Sequence, residues 1–182
     1  MYGMVHKAAR AMALEEFGPE FLDRALKRCG LGDEPFISSE IYDDETTLSL
    51  VGALSAESGL STEQLLTAFG EYWIKQATQL SYRQIMAMAG ATLDEFLSNL
   101  DRMHAGIESA MPGARMPSFE LVRNSGSTLD VIYRSPREGL EPFVRGLMIG
   151  LLNHFGEAGD VNISPHKEGS LVHITRHIPQ AA

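Results

Sequence analysis

The segment Tyr133-Arg134-Ser135-Pro136-Arg137 sets a phenol, a hydroxyl and a guanidinium at alternate positions. In an extended stretch alternate side chains project from one side, and the proline at 136 disfavours helical backbone at Ser135 before it. Tyr133, Ser135 and Arg137 are therefore expected to converge. Arginine's planar fork suits carboxylates, and flanking hydroxyls can satisfy the remaining oxygens. The natural guest is a dianionic group such as a pair of porphyrin propionates. Upstream, His104 is the lone imidazole in a stripe of Leu93, Phe96, Leu97, Leu100, Met103 and Ile107 at helical spacing. An inward-facing neutral imidazole is a good axial ligand for haem iron. Each feature also has a plainer explanation: a core histidine bonded to a carbonyl, and a strand edge that hydrogen-bonds its neighbours.

These groups need a helix and strands to hold them. Val5, Ala8, Ala9 and Met12 form an amphipathic stripe that stops at Gly18-Pro19, and Phe21, Leu22, Ala25 and Leu26 form another that stops at Gly30. Ser61 with Gln64, and Thr92 with Glu95, have capping-box spacing. They predict one helix carrying Leu65, Leu66, Phe69 and Trp73, and a second carrying the His104 stripe. The chain changes character near Pro112. Beyond Pro117 an alternation of Phe119 and Leu121, then Leu129, Val131 and Tyr133, flanks Asn124-Ser125-Gly126-Ser127 and predicts a hairpin. An apolar helix follows over about 140–155. On it Gly146 and Gly150 share a face and allow close approach by another backbone or a flat ligand. Two last strands are expected around Val161–Ser164 and Leu171–His177. The expected architecture is α+β: a helical N-terminal subdomain and a mixed C-terminal subdomain with a small antiparallel sheet, in a single stand-alone domain spanning 1–182.

At 182 residues, 44% of them hydrophobic, the chain suffices for one domain and not for two full ones. Its net charge of −9 is scattered, which argues against nucleic-acid or anionic-membrane binding. A single cysteine, Cys29, excludes a disulfide framework and a cysteine-based zinc site. No cationic segment followed by an apolar core opens the sequence, so a reducing cytoplasm is the expected location. The apolar run from Phe143 to Leu152 is interrupted by Arg145 and is too short to span a bilayer. His173 and His177 share a strand face without an accompanying carboxylate or cysteine and read as solvent-exposed. His6, His154 and His166 carry no signal.

The joint order of the motifs is more specific than any one of them. Met1-Tyr2-Gly3-Met4-Val5, Phe69-Gly70-Glu71-Tyr72-Trp73, Leu97-Ser98-Asn99-Leu100-Asp101-Arg102-Met103-His104, Pro117 and Tyr133-x-Ser135-x-Arg137 follow one another along the chain. In that order the sequence resembles the H-NOX domains, the haem nitric oxide/oxygen binding proteins, over essentially its whole length. It looks most like the cyanobacterial members and the haem domain of soluble guanylate cyclase. The resemblance implies a b-type haem with His104 as proximal iron ligand and Tyr133, Ser135 and Arg137 on the propionates. It further implies that Pro117 presses on the porphyrin and that Met4, Val5, Trp73, Phe143 and Leu147 line the pocket. No Cys-x-x-Cys-His motif is present, so attachment would be non-covalent. Oxygen-binding members carry a tyrosine where an ungapped reading puts Phe143. Phenylalanine cannot donate the hydrogen bond that bound dioxygen needs, whereas nitric oxide and carbon monoxide depend on it far less. Trp73 reads as a packing residue rather than a donor.

What the resemblance implies is a cytoplasmic nitric oxide sensor without catalytic chemistry of its own. Ligand binding opposite His104 weakens the axial bond and shifts the protein between two states. A separate chain would read the change, a histidine kinase or a diguanylate cyclase, since no such segment fits within 182 residues. Two rivals belong to other classes. A peroxidase-type haem enzyme needs a distal base and a polarising arginine, and neither is evident. A haem-free adaptor, holding an apolar ligand or a partner helix, leaves the Tyr133, Ser135 and Arg137 constellation without a purpose.

Overall fold

A computed structural model describes residues 1–32, 34–79, 82–111 and 113–177, with Gln79 described by its backbone alone. Pro112, where the composition changes, lies outside the described residues. The chain forms two compact units, Met1–Phe69 and Gly70–Ala182.

The first unit contains α1 (Gly3–Phe17), α2 (Pro19–Arg28), α3 (Asp44–Ser58) and the opening turns of α4 (Thr62–Gln79). Gly18, at φ 85°, ends α1, and Pro19 opens α2, where its missing N–H costs nothing. Met12, Phe21, Leu26, Leu50 and Leu54 are among the buried apolar side chains of this unit. The first residues are tied down: Tyr2 bridges to Ile41, and the Met1 ammonium donates to the Tyr42 carbonyl at 2.6 Å. Ser61 and Gln64 form the expected reciprocal box, with Gln64 N–H on Ser61 Oγ at 3.2 Å and Ser61 N–H on Gln64 Oε1 at 2.9 Å. No clean amphipathic stripe in the sequence announces α3.

The second unit holds the rest of α4, then α5 (Arg83–Ala89), α6 (Leu93–Ala110), β1 (Ser118–Asn124), β2 (Thr128–Arg134), α7 (Glu141–His154), β3 (Gly159–His166) and β4 (Gly169–Arg176). The four strands make one antiparallel sheet in the order β1-β2-β4-β3. Alternation puts Phe119, Leu129, Val131, Tyr133, Val161, Val172 and Ile174 on one face. They join Phe96, Leu97 and Leu100 of α6 and Val144, Met148, Leu151 and Leu152 of α7 in a single core. Because α6 buries its apolar stripe in that core, the boundary between units falls at Phe69/Gly70, well before the compositional change near 112. The pairing of β1 with β2 shifts between Leu121 and Arg123, leaving Val122 exposed, and Pro165 sits in the opposite outer strand, β3. Among the described residues no helix is long and apolar enough to cross a membrane.

Candidate functional site

Thr92 opens α6 by accepting the Glu95 N–H at 3.2 Å, while the Glu95 carboxylate accepts from Ala91 N–H at 2.9 Å. The return bond therefore falls one residue outside a standard capping box. Near the other end of the helix half-buried His104 meets the chain entering β1. Its Nδ1 lies 2.8 Å from the Pro117 carbonyl oxygen. A carbonyl can only accept, so the proton is on Nδ1, and Nε2 keeps its lone pair with no hydrogen-bond partner among the described residues. Burial holds the imidazole below its ordinary pKa, against the Pro117 bond and the nearby Asp101 and Glu108 charges, and so keeps it neutral. A metal-binding histidine characteristically donates its other N–H in this way.

The connection around Pro117 is pinned on both sides. Asp101, three residues before His104, accepts from Phe119 N–H at 2.5 Å and from Ser118 Oγ at 2.8 Å, and Glu108 accepts from Met116 N–H at 2.8 Å. Asp101 was missed as a functional candidate, although its spacing from His104 puts both on one helix face. Among the described residues no three His, Cys, Asp or Glu side chains group to hold a metal ion. A site with one neutral imidazole suits an iron whose other nitrogens come from a macrocycle, and does not suit a bare ion.

From His104 the site continues through Phe119, whose ring centroid is 5.8 Å from the imidazole and 5.1 Å from Tyr133. Tyr133 is buried near the end of β2. Burial pushes its phenol up, and a bond with the Ser135 side chain acts the other way. The three donors do not share one extended strand, because β2 ends at Arg134. Ser135 Oγ instead accepts the Arg137 N–H at 3.0 Å, which draws the segment into a turn. Arg137 Nη1 donates to the Arg115 carbonyl at 3.1 Å, linking this turn to the connection that holds His104. Two further groups reach the same place unannounced by local spacing. Ser170 pairs with Tyr133 across the β2–β4 ladder and donates to Glu141 Oε1 at 3.3 Å.

On α4 and α7 the backbones approach closely. A Cβ on Gly70 would lie 2.2 Å from the Phe143 carbonyl oxygen and 2.6 Å from the Leu147 nitrogen, and one on Gly150 would lie 2.9 Å from Ile74 Cβ. At Gly150 the close approach is made by Ile74 and Glu71 of α4, and Gly70 of α4 in turn meets α7 at Phe143, Gly146 and Leu147. Trp73 and Leu147 pack against the core that contains Phe119 and Tyr133, and Trp73 stacks with Tyr82 at 6.3 Å between centroids. Phe143 is half-buried. Met4 and Val5 lie in the first turn of α1, in the first unit, also half-buried.

Three histidines depart from expectation. His6 is only 1% exposed and stacks on Phe36 at 4.5 Å, with Nε2 2.9 Å from Thr47 Oγ1. Burial lowers its pKa. His173 and His177 do have carboxylate partners, Asp130 at 2.5 Å and Asp160 at 2.8 Å, because strand pairing brings in residues that the linear sequence keeps apart.

The family model described as Haem-NO-binding matches residues 2–163. Soluble guanylate cyclase gcy-37 of Caenorhabditis elegans is 30% identical over 81% of this chain and 21% of its own length. Soluble guanylate cyclase 89Db of Drosophila melanogaster is 24% identical over 85% and 23%, respectively. The chain thus spans about a fifth of the length of these curated relatives. Among solved structures, the Fe(II) unliganded H-NOX protein from K. algicida superposes with a TM-score of 0.84 at 22% identity, covering 100% of each chain. An H-NOX protein from S. oneidensis in the Fe(II)NO ligation state gives 0.85 at 15% identity, covering 98% of this chain and 100% of that one. The structural likenesses establish the fold and the family model establishes descent: the chain belongs to the haem-NO-binding family, the H-NOX domains.

Proposed function

We propose that this chain is a haem-based gas sensor that binds nitric oxide, and carbon monoxide, at a non-covalent b-type haem and signals to a separate effector. The observation that carries the reading is the His104 imidazole, neutral, fixed by the Pro117 carbonyl and presenting an unclaimed Nε2. A ferrous haem there would supply an iron with one coordination position open to a diatomic gas. Tyr133, Ser135 and Arg137 would hold the propionates, with Pro117, Trp73, Phe143 and Leu147 lining the pocket. Phe143 offers no hydrogen to a bound gas, which selects against dioxygen. The named relatives are cyclases, but the match covers only about a fifth of their length, and what we assign to the matched part is sensing. We assign the whole of 1–182 to one sensor domain acting in the cytoplasm, with a histidine kinase or a diguanylate cyclase as effector.

The test is the absorption spectrum of the purified ferrous protein before and after nitric oxide. One haem per chain, a spectral shift with nitric oxide and no stable oxy form in air are expected. His104→Gly should lose the axial ligand and regain it from added imidazole. A colourless protein that takes up no added hemin would instead favour the haem-free adaptor. A persistent oxy spectrum would overturn the nitric oxide assignment.

A further inference from the structure

We infer that Glu141, held by Ser170 beside Tyr133, is a resident carboxylate of the propionate cradle and sets how tightly the cradle keeps an acidic guest. The inference rests on the proposed function. Tyr133 and Ser170 are direct partners in the β2–β4 ladder. Such partners share a sheet face with Cβ atoms about 5 Å apart. Both are buried, at 4% and 8% exposure, and the Ser170 hydroxyl donates to Glu141 Oε1 at 3.3 Å. Glu141 is the first residue of α7, so its backbone position is fixed by the helix that also carries Phe143 and Leu147. The Tyr133 phenol feels the Glu141 charge and the Arg137 charge in opposite senses. It is therefore within electrostatic reach of both an anion and a cation.

A guest carboxylate that accepts from Tyr133, Ser135 and Arg137 comes up against a second carboxylate already in place. Glu141 repels it and offsets part of the attraction of Arg137. The cradle thus holds a doubly ionised guest less firmly than its three donors alone would, and the guest leaves faster. Glu141 gains from its own position, since a negative charge in the first turn of a helix is favourable. Removing that charge weakens α7 slightly while strengthening the grip on the guest, so the two effects have opposite signs.

The experiment follows haem transfer from the purified ferric holoprotein to excess apomyoglobin at neutral pH. Glu141→Gln should slow haem loss by about two- to fivefold, the range of a part-exposed charge coupling. Glu141→Asp should stay near wild type, and Ser170→Ala, which releases the carboxylate, should fall between. The gap between wild type and Glu141→Gln should close in about 1 M salt, where screening extends over only ~3 Å. A purely structural effect would not respond to salt in this way. Equal or faster loss from Glu141→Gln in haem-loaded protein overturns this inference and leaves the proposed function standing. A protein that binds no haem overturns both.

Discussion

Replacing Gly70 by alanine should drive α4 and α7 apart. The new Cβ would sit 2.2 Å from the Phe143 carbonyl oxygen, 2.6 Å from the Leu147 nitrogen and 2.8 Å from the Gly146 carbonyl carbon, where ordinary contact begins near 3.4 Å. All three obstacles are backbone atoms of one helix, so no rotamer change relieves them. The helices must separate by roughly 1 Å, forfeiting dispersion along the whole crossing. Overpacking of this kind costs about 2–3 kcal/mol, against which the better helix propensity of alanine returns at most ~1 kcal/mol. With a denaturant slope of about 2 kcal/mol/M, the urea midpoint should fall by roughly 0.5–1.5 M. Gly150→Ala provides the internal comparison. Its nearest conflicts are 2.9 and 3.1 Å, with atoms of the Ile74 side chain, so its midpoint should fall by less than half as much. A Gly70→Ala protein as stable as wild type, or one less affected than Gly150→Ala, would refute the close-packing argument. Since Phe143 and Leu147 ride on the displaced helix, the carbon monoxide stretching frequency of the haem-loaded variant should move as well.

Asp101→Ala removes both acceptors that anchor Ser118 and Phe119, with an expected loss of about 1–2 kcal/mol. The Pro117 carbonyl would then hold the imidazole less firmly, and resonance Raman should show a broadened iron–histidine band. A band of unchanged width and position would show that Asp101 does not support the site. For His6, burial puts the folded-state pKa below the ordinary value of 6.5, so the unfolded chain takes up the proton first. Its contribution is full above that value and is lost as pH falls below it. A His6→Asn variant should therefore show a shallower loss of urea stability between about pH 7 and 5, and identical slopes would contradict the burial. For Asp94 the Arg176 guanidinium holds the carboxyl below the usual carboxylate value, so its contribution persists above that value and disappears as pH falls through the lowered one. Asp94→Asn should cost about 1 kcal/mol at neutral pH, discounted for partial exposure, and should flatten the acid limb of the stability profile.

The features legible in the sequence were those written in consecutive or near-consecutive residues. The His104 stripe, the Ser61 and Thr92 caps, the hairpin around Gly126 and the Tyr133, Ser135 and Arg137 spacing depend on local geometry that the order of residues encodes directly. The residues that complete the site are distant in sequence. Ser170 joins Tyr133 only through strand register, and Glu141 joins only through Ser170. Asp130 reaches His173 by the same route. The α3 segment escaped notice because its buried Leu50, Val51, Ala53 and Leu54 form a block rather than a clean stripe. His6 escaped because nothing in its neighbours along the chain announces that Phe36 and Thr47 will enclose it. Alternation alone would keep the Tyr133 motif extended, yet the segment turns at Ser135, which accepts the Arg137 N–H.

The irregular pairing at Leu121/Arg123 and the proline at position 165 lie in the two outermost strands of the sheet. A strand added alongside β1 would meet a broken ladder with an unpaired residue at 122, and one added alongside β3 would find no N–H at Pro165. Growth of the sheet by recruiting a further chain is therefore disfavoured at both margins. Self-assembly at high concentration, or the docking of an extended peptide, would have to use helices or the outer face of the sheet.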